Sequence, residues 1–265
     1  HLLLVGEKNG NVSLYKVLNG EKLREFKSNR KRLVIVEMSP DGLYATAGYA
    51  DGIVQMWDIS SGRLIRQFTG RSVAANDIAI FSTGRNIVSA HNDGTLKLWD
   101  VLTGEQRLVY RGHTESATSV SLSPDRRTIA SGSDDGNIIL WDIATGKKNK
   151  IINAHDPGVV CVKYSPNGNY IFSAGKDNTI IMWDIHTGHK KKNLARLDFE
   201  VTCIAVSSNG RYLAFGSKGK TFKVFDLSNE MNEIKIDGHF RGVFALAFSR
   251  DDRYIISGGG DNAIR

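Results

Sequence analysis

Short apolar segments recur along the chain and alternate with clusters of turn-forming residues. Segments such as "VVCVKYS" (159–165) and "TIIMWDI" (179–185) are rich in β-branched and aromatic side chains. Such runs favour strands, because branched and aromatic side chains pack well on a pleated surface. None of the segments keeps a helical apolar period over three turns. The pattern therefore predicts an all-β fold.

The turn clusters recur at a fixed spacing. "SPDG" begins at Ser39, and "SPDR", "SPNG" and "SSNG" begin at Ser123, Ser165 and Ser207, so the starts lie 42 residues apart or twice that distance. Pro, Asp or Asn, and Gly set turn geometry through a fixed φ, side-chain bonds to the backbone and tolerance of positive φ. The spacing predicts a 42-residue unit of four short antiparallel strands.

An aromatic residue marks the same point of each unit. Counting 42 residues in either direction from Trp141 reaches an aromatic side chain each time, without an insertion. The pairs are Tyr15-Lys16, Trp57-Asp58, Trp99-Asp100, Trp141-Asp142, Trp183-Asp184 and Phe225-Asp226. Anchors in register over this length indicate an internal repeat that covers the whole chain.

These marks resemble those of the WD-repeat β-propeller family. Besides the four Trp-Asp pairs, the chain has Gly112-His113 and Gly238-His239, with Ala154-His155 as a variant. A period of about 40–45 residues with Gly-His and Trp-Asp marks is the signature of a four-stranded propeller blade. The resemblance implies an all-β propeller of antiparallel blades.

Counting the predicted strands gives 26, two short of seven complete blades. We therefore expect a seven-bladed propeller whose first blade lacks its inner strand and whose last blade lacks its outer one. Residues 1–265 are expected to form a single domain that is part of a longer chain, with the missing strands supplied by flanking sequence or by another chain. The alternative is one of two tandem propellers. The inner strands are predicted to begin near Leu33, Ala75, Ala117, Val159, Val201 and Val243.

Serine, histidine and aspartate occur together, as in a hydrolase, but the set recurs at the same spacing in more than one unit. A catalytic site is normally singular, and the resemblance implies instead a buried hydrogen-bond chain that ends at the tryptophan indole. We predict this structural network at His113, Ser131, Asp135 and Trp141, and again at His155, Ser173, Asp177 and Trp183. The Trp99 unit has Arg71 at the histidine position, and the Phe225 unit has Leu197, Phe215 and Gly219 and is expected to lack the network.

No other pattern predicts catalysis or a cofactor. His186 and His189 have an H-x-x-H spacing without further ligands, and zinc needs three or four that converge. Cys161 and Cys203 lie 42 residues apart and are expected to be core residues on neighbouring inner strands. The glycine-rich stretches match no phosphate-binding pattern. We therefore expect no catalytic residue, metal, cofactor or small-molecule substrate.

Function is then expected on exposed loops, which a propeller scaffold positions. The resemblance places the loops before the inner strands, together with the turns between second and third strands, on the face that most often binds peptides. The predicted partner-binding residues are Lys8, Arg30, Arg32, Asp134, Lys176, Lys218 and Phe240. If the ring closes, Phe240 and the cations Lys8, Arg30 and Arg32 form one patch, which favours an acidic peptide or loop of a partner protein.

A second basic feature lies on the predicted outermost strands of two neighbouring units. Lysine on an exposed edge strand protects against aggregation, but it also fits a phosphate backbone. The alternative function is therefore an RNA- or ribonucleoprotein-associated propeller. The lysines concerned are Lys147, Lys148, Lys150, Lys190, Lys191 and Lys192.

Composition narrows the setting. The net charge of +7 permits acidic partners without requiring them, and the two cysteines favour a reducing compartment. No apolar run approaches the roughly 18 residues of a membrane helix. We expect an intracellular protein, cytoplasmic or nuclear, that serves as a non-catalytic protein–protein interaction scaffold in a multiprotein complex.

Overall fold

The computed structural model describes residues 2–69, 73–228 and 232–265. Within these ranges the chain forms 25 strands and no helix. It divides into two compact units, unit 1 (His1–Val120 and Thr145–Lys147) and unit 2 (Ser121–Ala144 and Lys148–Arg265). The all-β expectation is confirmed.

Unit 1 contains the first eleven strands and most of the twelfth. They are β1 (Leu2–Gly6), β2 (Val12–Lys16), β3 (Lys22–Phe26), β4 (Leu33–Met38), β5 (Tyr44–Tyr49), β6 (Ile53–Asp58), β7 (Leu64–Thr69), β8 (Ala75–Ile80), β9 (Asn86–His91), β10 (Leu96–Asp100), β11 (Gln106–Tyr110) and β12 (Ala117–Leu122), which ends in unit 2.

Unit 2 contains the remaining strands. They are β13 (Thr128–Ser133), β14 (Asn137–Asp142), β15 (Lys148–Asn153), β16 (Val159–Tyr164), β17 (Tyr170–Gly175), β18 (Thr179–Asp184), β19 (Lys190–Arg196), β20 (Val201–Val206), β21 (Tyr212–Ser217), β22 (Thr221–Asp226), β23 (Asn232–Asp237), β24 (Val243–Phe248) and β25 (Ile255–Gly259). The inner strands β4, β8, β12, β16, β20 and β24 begin at the predicted residues.

The strands form consecutive antiparallel sheets, as in a propeller. β1–β2–β3 is three-stranded, and β4–β7, β8–β11, β12–β15, β16–β19 and β20–β23 are each four-stranded in chain order. The prediction of a β-propeller is confirmed, but that of seven blades is wrong. The described residues form six blades, one of three strands and five of four, followed by the hairpin β24–β25.

The correction arises in the last unit of the repeat. A third strand was predicted there, but beyond β25 only an isolated bridge joins Ile264 to Gly258. One bridge is not a strand, so the strand count is 25 rather than 26, and the last unit stays a hairpin.

Five of the turns between a first and a second strand follow one design, and the turn that begins with Phe81 has no serine at that first position to form it. In the first of them, the Ser39 hydroxyl donates to Asp41 and accepts the backbone N–H of Tyr44, while Gly42 has a φ of 75°. The side chains thereby satisfy turn groups that no strand partner reaches. The same bonds recur at the turns that begin with Ser123, Ser165, Ser207 and Ser249.

The core lies between successive sheets. In unit 1, Met56 and Phe68 of one blade pack with Ile78 and Trp99 of the next. In unit 2, Phe172 and Ile180 pack with Ile204 and Leu213 in the same way. Each blade therefore buries its apolar faces only with the help of its neighbour in the chain.

Basic side chains on outer strands also donate hydrogen bonds to backbone carbonyl groups of the following blade. Arg24 on β3 donates to the carbonyls of Ser60 and Ser61 at 2.8 and 3.0 Å. Arg66, one repeat later, donates to the carbonyl of Leu102. In unit 2, Lys150 donates to the carbonyls of Ile185 and His186 at 3.1 and 2.6 Å. We call these contacts rim clasps.

Inner strands are joined by a buried carboxylate. Asp77 on β8 is 9% exposed and accepts the backbone N–H groups of Ile78 and Val120, each at 2.9 Å. Val120 lies on β12, so this side chain ties two neighbouring inner strands of unit 1 together. Without it, two buried N–H groups would lose their acceptor.

We expect Asp77→Ala to lower the free energy of unfolding by about 1–3 kcal/mol, the cost of leaving a buried donor unsatisfied. Urea denaturation followed by tryptophan fluorescence measures the change. Asp198→Ala, at an exposed carboxylate, is the control and should stay within about 0.5 kcal/mol of the wild type. Equal effects of the two substitutions would contradict this role for Asp77.

Candidate functional site

Three blades place a serine against the buried tryptophan. The indole N–H of Trp99 donates to the Ser89 hydroxyl at 2.8 Å, Trp141 to Ser131 at 2.8 Å, and Trp183 to Ser173 at 2.7 Å. In each blade the two residues lie on paired second and third strands. A buried indole N–H requires an acceptor, and the serine supplies it at the same register each time.

In the Trp183 blade the chain continues through histidine. His155 Nε2 lies 2.7 Å from the Ser173 hydroxyl, and its Nδ1 lies 3.0 Å from the Asp177 carboxylate. Because Trp183 only donates, the hydroxyl proton of Ser173 goes to Nε2, and Nδ1 carries the proton given to Asp177. A neutral histidine with its proton on Nδ1 satisfies every bond.

This arrangement holds no accessible nucleophile. Ser173 is fully buried, and its oxygen already accepts the indole proton of Trp183. Hydroxyl attack needs space for a substrate and a free lone pair. The arrangement satisfies buried polar groups and fixes the hairpin of β17 and β18 to the loop that carries His155.

The last unit repeats the chain without a tryptophan among the described residues. His239 Nε2 lies 2.9 Å from Ser257, and its Nδ1 lies 2.9 Å from Asp261. Asp261 also accepts the backbone N–H of Phe240 at 3.0 Å, and this bond is the chief reason that the pKa of Asp261 is held well below its usual range.

The four residues predicted for the Trp141 network fall in different units. Ser131, Trp141 and Asp135 lie in unit 2, where Asp135 accepts the backbone N–H of Asn137 at 2.9 Å. His113 is buried in unit 1. The link from His113 to Ser131 therefore stays a prediction.

The Trp99 blade contains a histidine that the sequence reasoning missed. Arg71, at the usual histidine position, lies outside the described residues. His91, on β9, places Nε2 2.7 Å from Ser89 and Nδ1 3.0 Å from the carbonyl oxygen of Val73. Ser89 and His91 are two positions apart on one strand, so their side chains share a face. That spacing is the signal from which this pairing could have been predicted.

In two blades, a side chain at the strand position of His91 would clash with the histidine of the loop. Position 91 corresponds, two and four repeats later, to Gly175 and Gly259. A Cβ on Gly175 would lie 2.2 Å from His155 Nδ1, and one on Gly259 would lie 2.2 Å from His239 Nδ1. At His155 and His239 the loop histidine therefore occupies the space that a side chain on the strand would need.

The Phe225 blade replaces the polar chain with aromatic packing. Phe215 stands at the serine position and Phe225 at the tryptophan position, with ring centres 5.0 Å apart and planes at 63°. Edge-to-face contact of this kind is favourable between rings. Both side chains are buried and present no polar group that would need a partner.

Burial lowers the pKa of both network histidines that show a shift. Desolvation is the main cause at His155, although Asp177 opposes it. At His91, desolvation and then the nearby Lys97 ammonium lower the pKa to about 4. The neutral form that accepts the serine proton is thus the stable form at neutral pH.

Among the predicted partner-binding residues, three lie in unit 1. Lys8 and Arg32 are exposed, and Arg30 is half-buried with its guanidinium 3.1 Å from the Asp51 carboxylate. Arg32 adopts a φ of 58°, a conformation that L-residues other than Asn, Asp and His seldom adopt.

The remaining predicted partner-binding residues lie in unit 2, and most of their charges are paired. Lys176 forms an ion pair with Asp134 at 2.8 Å, and Lys218 forms one with Glu200 at 2.5 Å. Phe240 is 78% exposed. Phe240 belongs to unit 2 and the cations Lys8, Arg30 and Arg32 belong to unit 1, so the single patch of these four residues stays a prediction.

The six rim lysines differ in whether they are exposed or engaged in contacts within the fold. Lys150 is committed to its rim clasp. Lys190, Lys191 and Lys192 are exposed on β19, and Lys147 and Lys148 are exposed in the preceding blade. The clasp gives Lys150 a structural role that the RNA alternative did not include.

A metal site requires several converging ligands, and a membrane-spanning helix requires a long apolar run. In the described ranges, no group of three or more His, Cys, Asp or Glu side chains could hold a metal ion. Cys161 and Cys203 form no disulfide in the described residues, and burial raises the pKa of Cys203 to about 12. No helix in the described part of the chain is long and apolar enough to cross a membrane.

Comparison with known families gives two matches. Residues 74–265 match the family described as the IFT122 first beta-propeller, which is more than half of the chain. Residues 20–58 match the family described as the WD domain, G-beta repeat. The resemblance to WD-repeat propellers is therefore confirmed. No curated protein matches the chain.

We expect Gly175→Ala to lower the free energy of unfolding by about 1–3 kcal/mol, because the added methyl group must displace the buried ring of His155. Gly258→Ala is the matched control, since its Cβ would meet only Ala245 at 3.6 Å. Urea denaturation of both variants tests the steric exclusion, and a harmless Gly175→Ala would refute it.

The lowered pKa of His91 predicts acid sensitivity. The folded pKa of about 4 lies below the unfolded value of about 6.5, so the stabilisation is present above pH 6.5 and is lost as the pH falls towards 4. Wild-type protein should lose about 2 kcal/mol more than His91→Gln between about pH 7 and pH 5.

The measurement is urea denaturation across that pH range. His186→Gln, at an exposed histidine, controls for loss of a titrating side chain. A parallel decline of wild type and His91→Gln would show that His91 is not the origin of the sensitivity.

Proposed function

The chain belongs to the family of the IFT122 first beta-propeller, and on that premise we propose that it is a non-catalytic protein–protein interaction scaffold within an intracellular multiprotein complex. Its repeated serines and histidines are engaged in buried bonds within the blades. What remains for function is the chemistry of its exposed loops.

The basic loop of unit 1 is the observation that carries the finer proposal. We define it as residues 27–32, between β3 and β4, together with Lys8 of the β1–β2 turn. It contains the cations Lys8, Lys27, Arg30, Lys31 and Arg32. Among the described residues, only Arg30 of these five forms an ion pair.

Acidic neighbours of the loop are already engaged. Glu7 accepts hydrogen bonds from Ser13 and Lys22, and Glu25 accepts from Lys22 and Asn11. The positive charge of the loop is therefore left for an outside partner, which is the arrangement that attracts an acidic segment and speeds its encounter.

The backbone of the loop is held in place. Ser28 accepts the N–H of Arg30 through its hydroxyl and donates that hydroxyl to Gln55 at 2.7 Å. The β1–β2 turn packs so closely that a Cβ on Gly10 would lie 1.9 Å from the Arg30 carbonyl oxygen. At the far end, the Arg32 carbonyl accepts the N–H of Ala50 at 3.1 Å.

A loop fixed in this way loses little conformational entropy on binding. We therefore assign to Lys8, Arg30 and Arg32 the capture of an acidic peptide or loop of a partner protein. Guanidinium groups suit this role because they bind carboxylates with two parallel hydrogen bonds.

The test uses a fluorescein-labelled oligoglutamate peptide and fluorescence anisotropy. Lys8→Glu combined with Arg32→Glu should weaken binding at least about tenfold, or 1.4 kcal/mol, because repulsion replaces attraction. The matched control is Lys16→Glu combined with Arg63→Glu, which changes the net charge of unit 1 equally away from the loop.

Loss of affinity in the loop variant alone supports the site. An equal loss in the control would indicate attraction to the overall charge, and an unchanged affinity in the loop variant would refute the proposal. Circular dichroism confirms that both variants are folded.

A further inference from the structure

Unit 2 exposes three phenylalanine side chains on neighbouring loops. Phe199, between β19 and β20, is 57% exposed; Phe240, between β23 and β24, is 78% exposed; and Phe244, at the start of β24, is 54% exposed. We call these three residues the aromatic patch. From this patch we infer a second docking surface, one that binds a short peptide segment with a large apolar side chain beside an acidic residue.

The patch has a continuous floor of backbone. Phe199 lies over Gly219, where an added Cβ would be 3.0 Å from its ring, and Phe244 lies over Gly260, where the distance would be 2.8 Å. Between them, a Cβ on Gly242 would lie 2.9 Å from the Cα atom of Lys218. Close approach of these segments joins the two rings across one surface.

Bonds beneath the rings make this surface rigid. The Thr202 hydroxyl on β20 donates to the Val243 carbonyl on β24. Asp261, whose side chain is 8% exposed, accepts the N–H of Phe240 and lies 2.9 Å from His239 Nδ1. The loop that carries the most exposed ring is therefore held by the network of the last unit.

The same positions one repeat earlier are not aromatic. Phe199 corresponds to Pro157, Phe240 to Asp198, and Phe244 to Thr202. The repeat thus does not require an aromatic side chain at these positions. Exposed apolar patches rimmed by polar residues mark binding surfaces, and aromatic side chains dominate the energetics of such surfaces.

Charge around the patch specifies the occupant. Lys218 pairs with Glu200, and Arg265 pairs with Asp261 and stands 5.7 Å from the centre of the Phe240 ring. Arg241 and Lys220 are exposed and form no ion pair in the described ranges. Of the neighbouring carboxylates, that of Asp198 is likewise exposed and forms no ion pair there. The surplus of positive charge complements an acidic residue next to the apolar anchor.

This inference does not rest on the acidic-peptide proposal for the basic loop. The basic loop contains no aromatic residue, whereas the aromatic patch requires an apolar side chain in its ligand. A peptide that is acidic but lacks apolar residues therefore reports on the basic loop, and one that combines both reports on the aromatic patch.

The experiment compares two fluorescein-labelled peptides by anisotropy. One alternates leucine with glutamate, and the other replaces each leucine with serine. We expect Phe199→Ala combined with Phe240→Ala to weaken binding of the leucine peptide at least about tenfold and to leave the serine peptide unaffected. The matched control is Leu102→Ala, which truncates a residue that is 82% exposed in unit 1.

A charge variant provides a second readout that spares the apolar contacts. Arg241→Glu should also weaken the leucine peptide, whereas Lys8→Glu combined with Arg32→Glu should change its affinity far less than the phenylalanine variant does. Both results support the aromatic patch as the site.

Other outcomes overturn the proposal. Wild-type affinity of the double phenylalanine variant, or equal binding of both peptides, would show that the rings do not select the ligand. Sedimentation velocity that shows a dimer of the wild type and a monomer of the double variant would identify a second copy of this chain as the occupant instead.

Discussion

The buried indole N–H groups of Trp99, Trp141 and Trp183 are the constraint on which the interiors of their blades depend. Such a donor cannot remain unpaired without a cost of about 1–3 kcal/mol. Serine on the paired strand accepts it, and the serine hydroxyl proton then requires an acceptor of its own, which a histidine provides at Ser89 and at Ser173. Each step fixes the next, so that one tryptophan determines the rotamers of two further side chains and the protonation state of one ring.

Much of the fold could be predicted from the sequence because it depends on local chemistry that repeats. The six inner strands begin where the 42-residue period predicts, and the turns use the serine and Asp or Asn side chains expected of them. The blade count was wrong in the last unit, where the described residues form only the hairpin β24–β25 and one further bridge.

The sites were less predictable, for a related reason. His91 was missed because the repeat directs attention to the loop position, whereas the packing accepts an imidazole from either segment. The ion pairs of Lys176 with Asp134 and of Lys218 with Glu200 depend on which side chains neighbouring segments bring together. The exposure of Phe199 and Phe244 also depends on the folded structure, because the sequence alone would assign both phenylalanines to the core.

The exchange between strand and loop histidine has a consequence for how such repeats diverge after duplication. A copy that acquires a bulky residue at position 175 while His155 is retained would place two groups in one volume, and a copy that loses both would leave the serine proton without an acceptor. In the blades of His155 and His239, loop and strand therefore cannot both supply a ring to the same volume. The blades of this one chain use both solutions, with an imidazole from the strand at Ser89 and an imidazole from the loop at Ser173.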